Sequence, residues 1–195
     1  MGEKSVQKRK LIVDKARAVF SEKGYKNVTM KDIVDACDIS RGGLYLYFSS
    51  TEELFLAVLA DERDEDDEEA IDAALSGDAT AGDMLALFLK EQKKEILRKK
   101  NNLTVATYEF FSVHKVSTQD NPLKNEFDTA VRIIEKLIEN GVENEEFYCE
   151  NPLGCARNLM YVVEGLKIMS KTIGVTEEAV DRELMYVLEG LVPEE

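Results

Sequence analysis

Residues 39–48, ISRGGLYLYF, set one arginine, two adjacent glycines and two tyrosines into a stretch that otherwise reads as a short helix. A glycine inside a helix costs about 1 kcal/mol relative to alanine, so two in a row need a reason. One reason is clearance for a partner. Glycines in a first turn let the helix backbone approach closely, and the free N–H groups there attract phosphate. Arg41 can then pair with a guanine edge or a phosphate, and the hydroxyls of Tyr45 and Tyr47 can donate to phosphates. The other reason is internal: Gly42 and Gly43 let two helices of the same chain pack closely, with the tyrosines at the rim. Leu44 and Phe48, four apart, are the buried anchors.

The elements before this stretch position it. Met30, Ile33, Val34 and Cys37 recur at helical spacing. Thr29 can cap that helix, and Asp32 stands where a capping box places Glu. Asp38 tolerates a left-handed backbone. Ser40 is a good N-cap, and Ile39 can staple onto Leu44. Helix over 29–37, turn over 38–40 and helix over 41–48 is helix-turn-helix spacing, whose second helix lies in the DNA major groove. An earlier helix carries Ile12, Ala16, Val19 and Phe20 on one face and stops at Gly24.

Residues 12–59 resemble the N-terminal domain of the TetR family of bacterial transcriptional regulators. The resemblance rests on Phe20, Gly24-Tyr25, Thr29, Asp32-Ile33, Ala36, Ile39-Ser40, Gly42, Leu44-Tyr45, Tyr47-Phe48 and Glu53-Leu54, and it covers about a quarter of the chain. It implies an all-α homodimer: a three-helix DNA-binding head over 1–50, and a larger helical body over 51–195 that binds a ligand and dimerises. The body would bind a small molecule and set the distance between the two heads. The DNA-facing set expected here is Thr29, Lys31, Ser40, Arg41, Gly42, Gly43, Tyr45, Tyr47 and Thr51. Three positions depart from the family pattern. Asp38 replaces the usual turn glycine, Gly43 stands where threonine or a similar residue is frequent, and Thr51 stands where a lysine commonly reaches a phosphate. Losing that cation weakens binding and flattens its salt dependence.

Charge supports a division of labour. The 195-residue chain has a net charge of −14, yet residues 1–51 hold ten Lys/Arg and six Asp/Glu, a net of +4. A basic head on an acidic body is the asymmetry expected when only the head meets a polyanion. No apolar run approaches a membrane span, and no apolar segment follows the charges of the first ten residues. Three cysteines, Cys37, Cys149 and Cys155, form no disulfide framework. Together these point to the cytoplasm.

The rest of the chain reads as helix throughout, about nine helices in all, with no strand alternation and no repeat. A helix from about 51 runs to about 75, and its 61–69 portion, eight acidic residues in nine, reads as a solvated face. Further helices are expected over about 82–100, 103–117 and 176–191. Asn121-Pro122 and Asn151-Pro152 open two more, which Gly141 and Gly174 close. The middle helices offer Met84, Leu87, Phe88, Tyr108, Phe111, His114, Met160, Tyr161 and Glu164 as pocket residues, suited to an apolar or amphipathic molecule, or else as plain core. Glu164 is a candidate to meet a cationic ligand. Cys155, Leu159, Val162, Leu166, Met169 and Ile173 follow an a/d heptad spacing. With Leu184, Val187 and Leu188 of the last helix they form either half of a four-helix dimer bundle or part of the chain's own core.

Other classes fit less well. The chain lacks G-x-S-x-G and H-E-x-x-H, and it has one histidine, so no enzyme activity is expected. GDATAGDM, residues 77–84, has the glycine spacing of a phosphate loop, but Asp83 follows where lysine should. No cofactor and no metal are expected. A metal or redox sensor through Cys149 and Cys155 is a rival reading, although their spacing is not a usual zinc spacing. So are an activator of the same fold and, more remotely, a helical interaction module that does not bind DNA. The resemblance makes repression relieved by a small-molecule effector, from a palindromic operator, the leading expectation.

Overall fold

The computed structural model describes residues 3–61, 79–100, 102–117 and 121–191. Nine α-helices lie among them, and no strand. In chain order they are α1 (Glu3–Lys23), α2 (Met30–Cys37), α3 (Arg41–Tyr45), α4 (Thr51–Asp61), α5 (Ala81–Leu97), α6 (Thr104–Val113), α7 (Pro122–Glu143), α8 (Pro152–Thr172) and α9 (Glu177–Glu189). Most of their starts follow from side chains that satisfy the orphan N–H groups of a first turn. Thr29 and Thr80 form capping boxes with Asp32 and Asp83. Asn121 and Asn151 cap helices whose first residue is proline, as expected. Thr176 caps α9.

The helices fall into two compact units. The first joins α1–α4 with α6, and the second joins α5 with α7–α9. The three-helix head is therefore part of a larger packing unit. Phe20 of α1, Phe55 of α4 and Phe110 of α6 are each at most 1% exposed, and Tyr25 packs among them. Ring centroids lie 4.8 Å apart for Phe20–Phe55, 5.2 Å for Phe55–Phe110 and 4.9 Å for Tyr25–Phe110. Aromatic pairs at this spacing add to the burial of their apolar surface. Ile12, Ala16, Ile33 and Leu44 complete the core under α2 and α3.

The second unit centres on Leu85, Leu89, Ile96, Ile134, Ile138, Leu159, Val163, Val180 and Leu184. Polar groups tie its ends. Glu146 accepts from the N–H groups of Ala81 and Gly82, at 3.3 and 2.9 Å, so the phosphate-loop-like stretch already has a carboxylate at its helix start. Lys171 donates to the carbonyls of Ile96 and Arg98 at the other end of α5. Lys93 of α5 pairs with Glu177 and Asp181 of α9 at 2.9 and 2.6 Å.

Four expectations are corrected. Gly141 does not stop α7, which continues to Glu143; the glycine is buried beneath the ring of Phe147, and a Cβ there would lie 2.2 Å from that ring. The helix over 103–117 ends at Val113, because His114 turns extended. The regular part of the helix over 41–48 ends at Tyr45, and Tyr47 and Phe48 remain hydrogen-bonded to the Leu44 carbonyl. Asp61 is not simply solvated: it pairs with Lys10 at 2.5 Å and Arg17 at 3.2 Å. The remainder of the 61–69 acidic run lies outside the described residues.

Gly141 gives a direct test. Alanine for glycine normally stabilises a helix interior, but Gly141→Ala forces a methyl into the Phe147 ring and lowers stability by about 1–3 kcal/mol. Urea unfolding of Gly141→Ala alone and with Phe147→Leu checks this, since the loss shrinks once the ring is gone.

Candidate nucleic-acid interface

The turn before α3 forms as its residue types require. Asp38 adopts φ 51° and ψ 49°, the left-handed conformation, and its N–H donates to the Val34 carbonyl. Ser40 is extended, and its Oγ accepts from the Gly43 N–H at 3.1 Å. That N–H is therefore taken by the cap. Leu44 and Phe48 are the anchors, 0% and 1% exposed. The Arg9 guanidinium lies over the outer face of the Phe48 ring, 4.9 Å from its centroid, a second contact that holds the end of this segment.

Among the described residues, neither glycine packs against another helix. A Cβ on Gly42 would meet nothing within 4 Å, and one on Gly43 would meet only the capping Ser40 hydroxyl, at 3.1 Å. The outer face of α3 is thus bare backbone at Gly42. It is flanked by Arg41, whose guanidinium stacks over the Tyr45 ring at 5.5 Å. Tyr45 is exposed, while Tyr47 is half-buried against the core. Leu46, one turn after Gly42, is 83% exposed. It was not among the residues expected to face DNA. Its signal was present in the sequence, since residues four apart share a helix face.

The remaining expected contacts divide. Lys31 is exposed on α2. The Thr29 hydroxyl donates to Asp32, whose carboxylate also accepts from Lys23 at 2.6 Å. Hydrogen bonds from Lys23 first, then from the Thr29 hydroxyl and N–H, hold the Asp32 carboxyl far below the usual carboxylate range. Ser50 caps α4, and Ser49 bonds Glu53. Thr51 is half-buried beside Tyr25 rather than exposed. Burial holds the Tyr25 phenol above its ordinary value, with Thr51 opposing.

Comparison with known proteins agrees with this geometry. A family model described as bacterial regulatory proteins of the tetR family matches residues 12–58. A second, described as a tetracyclin repressor-like C-terminal domain, matches residues 84–181, half of the chain. The chain belongs to the TetR family. It is similar to the uncharacterized HTH-type transcriptional regulator YfiR of Bacillus subtilis, 29% identical over 73% of this chain and 69% of that protein. The HTH-type transcriptional repressor AcnR of Corynebacterium efficiens is 39% identical over 29% of this chain and 30% of its own length, so that similarity spans less than a third of either chain. Among solved structures, FadR from Bacillus subtilis in complex with stearoyl-CoA matches with a TM-score of 0.71 at 17% identity, covering 93% of this chain and 98% of that one. A TetR/AcrR-family regulator from Thermobifida fusca matches with a TM-score of 0.72 at 24% identity, covering 94% and 98%.

In this TetR-family regulator the expected pocket residues lie in both units. Phe111 packs on the first core, and His114 stacks on Phe110 at 4.4 Å. His114 Nε2 shares a 2.8 Å hydrogen bond with the Tyr25 hydroxyl, and its Nδ1 lies 3.5 Å from Glu52. Glu109 of the same helix accepts from the Lys26 N–H and covers Gly24, whose φ of 73° disfavours a side chain. Tyr108 is half-buried on α6. In the second unit Met160 is buried in the core, and Met84 and Phe88 are half-buried on α5, whereas Leu87 is exposed. Tyr161 is 65% exposed beside Phe127, and Glu164 pairs with Lys167 at 2.8 Å.

The expected dimer seam also divides. Leu159, Leu184 and Val187 are buried in the chain's own core, and Val162, Leu166 and Leu188 are half-buried against it. Met169, Ile173, Met185 and Tyr186 stay exposed. Cys155 is pushed up to about 11, mainly by burial and then by the neighbouring Cys149. A thiol kept protonated is a poor nucleophile.

Asp32 supplies a pH test. Its depressed pKa contributes stability above the ordinary carboxylate range that is lost as pH falls through its folded value. Asp32→Asn therefore has a lower urea midpoint than wild type at neutral pH, and the gap narrows below about pH 4. A gap that widens on acidification contradicts the assignment.

Proposed function

We propose that the chain is a ligand-responsive repressor. It acts in the cytoplasm as a homodimer whose two α3 helices enter successive major grooves of a palindromic operator. An apolar or amphipathic effector held by the second unit's helices releases it. The observation that carries the DNA half is Gly42. It is a helical glycine that no contact among the described residues requires, at the centre of an open face edged by Arg41 and Tyr45. The net +4 of residues 1–51 supports the same reading. Two relatives matched over less than a third of the chain are named as repressors.

The apolar side chains left at the surface of α8 and α9 support a two-fold partner. Tyr161, Met169, Ile173, Met185 and Tyr186 are each at least 42% exposed, an apolar surface that a second copy would bury. The FadR neighbour is a complex with stearoyl-CoA, an amphipathic molecule of the proposed effector class. An effector that binds one head spacing better than another shifts the population away from the spacing that fits DNA.

Selection of duplexes from a random pool by the full chain tests this. The expected result is an enriched palindrome with half-sites about one helical turn apart. Arg41→Ala weakens its binding by about 5- to 100-fold. Gly42→Ala separates function from fold: α3 is stabilised by up to about 1 kcal/mol while the operator is bound less tightly. No enrichment at low salt, or full affinity in Gly42→Ala, contradicts the proposal.

A further inference from the structure

Among the described residues, Leu46 is the most exposed large apolar side chain of the first unit, at 83%. Its position is specific. Leu46 is the C-cap of α3, still in helical geometry, and its N–H donates to the Gly42 carbonyl at 3.2 Å, so it lies one turn beyond Gly42 on the same side. Gly42 presents no side chain and has nothing within 4 Å in front of it. Arg41 is stacked aside on the Tyr45 ring. A surface that closes on this face meets bare backbone at Gly42 and an isobutyl group one turn later.

We propose that Leu46 reads the 5-methyl group of a thymine in the major groove, and so sets one specific base in each half-site. This rests on the DNA-binding reading above and goes further by naming the base. The chemistry selects it. The major-groove edges of guanine, adenine and cytosine present polar donors and acceptors, which leucine can only desolvate. Thymine alone of the four standard bases presents an apolar group there. Leucine has no donor for a phosphate, so a backbone contact would gain nothing from it. The bare Gly42 turn lets α3 approach closely enough for a short aliphatic side chain to reach the groove floor.

Uracil supplies the test, because it keeps every hydrogen-bonding group of thymine and lacks only the methyl. The full-length chain first selects its duplex from a random pool. Affinity is then measured for that duplex and for variants in which symmetry-related thymines are replaced by uracil, one pair at a time, with wild type and Leu46→Ala. One thymine pair is expected to matter, with uracil weakening wild-type binding by about fourfold per half-site, the worth of one buried methyl. In Leu46→Ala the same replacement has no effect. Both proteins bind the uracil duplex within about twofold of each other. Leu46 is surface-exposed, so equal melting temperatures are expected and are checked alongside. A uracil penalty of equal size in Leu46→Ala, or no uracil-sensitive thymine in an enriched duplex, overturns this inference and leaves DNA binding standing. Failure to enrich any duplex overturns both.

Discussion

The first unit depends on one cluster of rings. Phe20, Tyr25, Phe55 and Phe110 come from α1, the turn after it, α4 and α6, and their mutual contacts bring three helices and a turn to one core. The short α2 and α3 lie over that core through Ile33, Leu44 and Phe48. A five-residue helix has little stability of its own, because nucleating a helix costs more than a single turn returns. The position of α3 therefore follows from what Leu44 and Phe48 are buried against. Its outer face is left free to hold residues, such as Gly42 and Leu46, that serve nothing inside the chain.

The same cluster explains why α6 packs with the head. Phe110 fills the space between Tyr25 and Phe55, and His114 continues the stack to reach the Tyr25 hydroxyl. The helix ends there because His114 leaves helical geometry to make that bond. Tyr25, His114 and Glu52 thus form a polar chain along the edge of an aromatic core. Removing His114 leaves the half-buried Tyr25 hydroxyl without that partner, which costs more than the bond itself returns.

Much of the head was legible in its residues because its signals are local. The Thr29–Asp32 capping box, the left-handed Asp38, the Ser40 cap and the Leu44–Phe48 anchors each depend on neighbours within four positions. What was illegible depends on distant partners. The segment over 104–113 is apolar on most sides, so its sequence could not say which core it serves, and Tyr25 is 89 residues from His114. Gly141 resembles a helix stop until Phe147 is seen folding back over it. In α8 two adjacent faces are apolar. Periodicity alone could not tell that Leu159 faces inward while Met169 and Ile173 stay at the surface. Thr51 stands at a helix start, where an exposed hydroxyl is reasonable, but it is half-buried beside Tyr25.

The central claim is that the open face of α3 is the surface that meets DNA. Hydrogen exchange of the full chain, with and without a duplex it has selected, tests this most directly. The account predicts that amides of residues 40–48 gain the most protection on adding DNA, with a smaller gain at the start of α2. Protection confined to α5 or to α7–α9, with 40–48 exchanging as in the free protein, would contradict it.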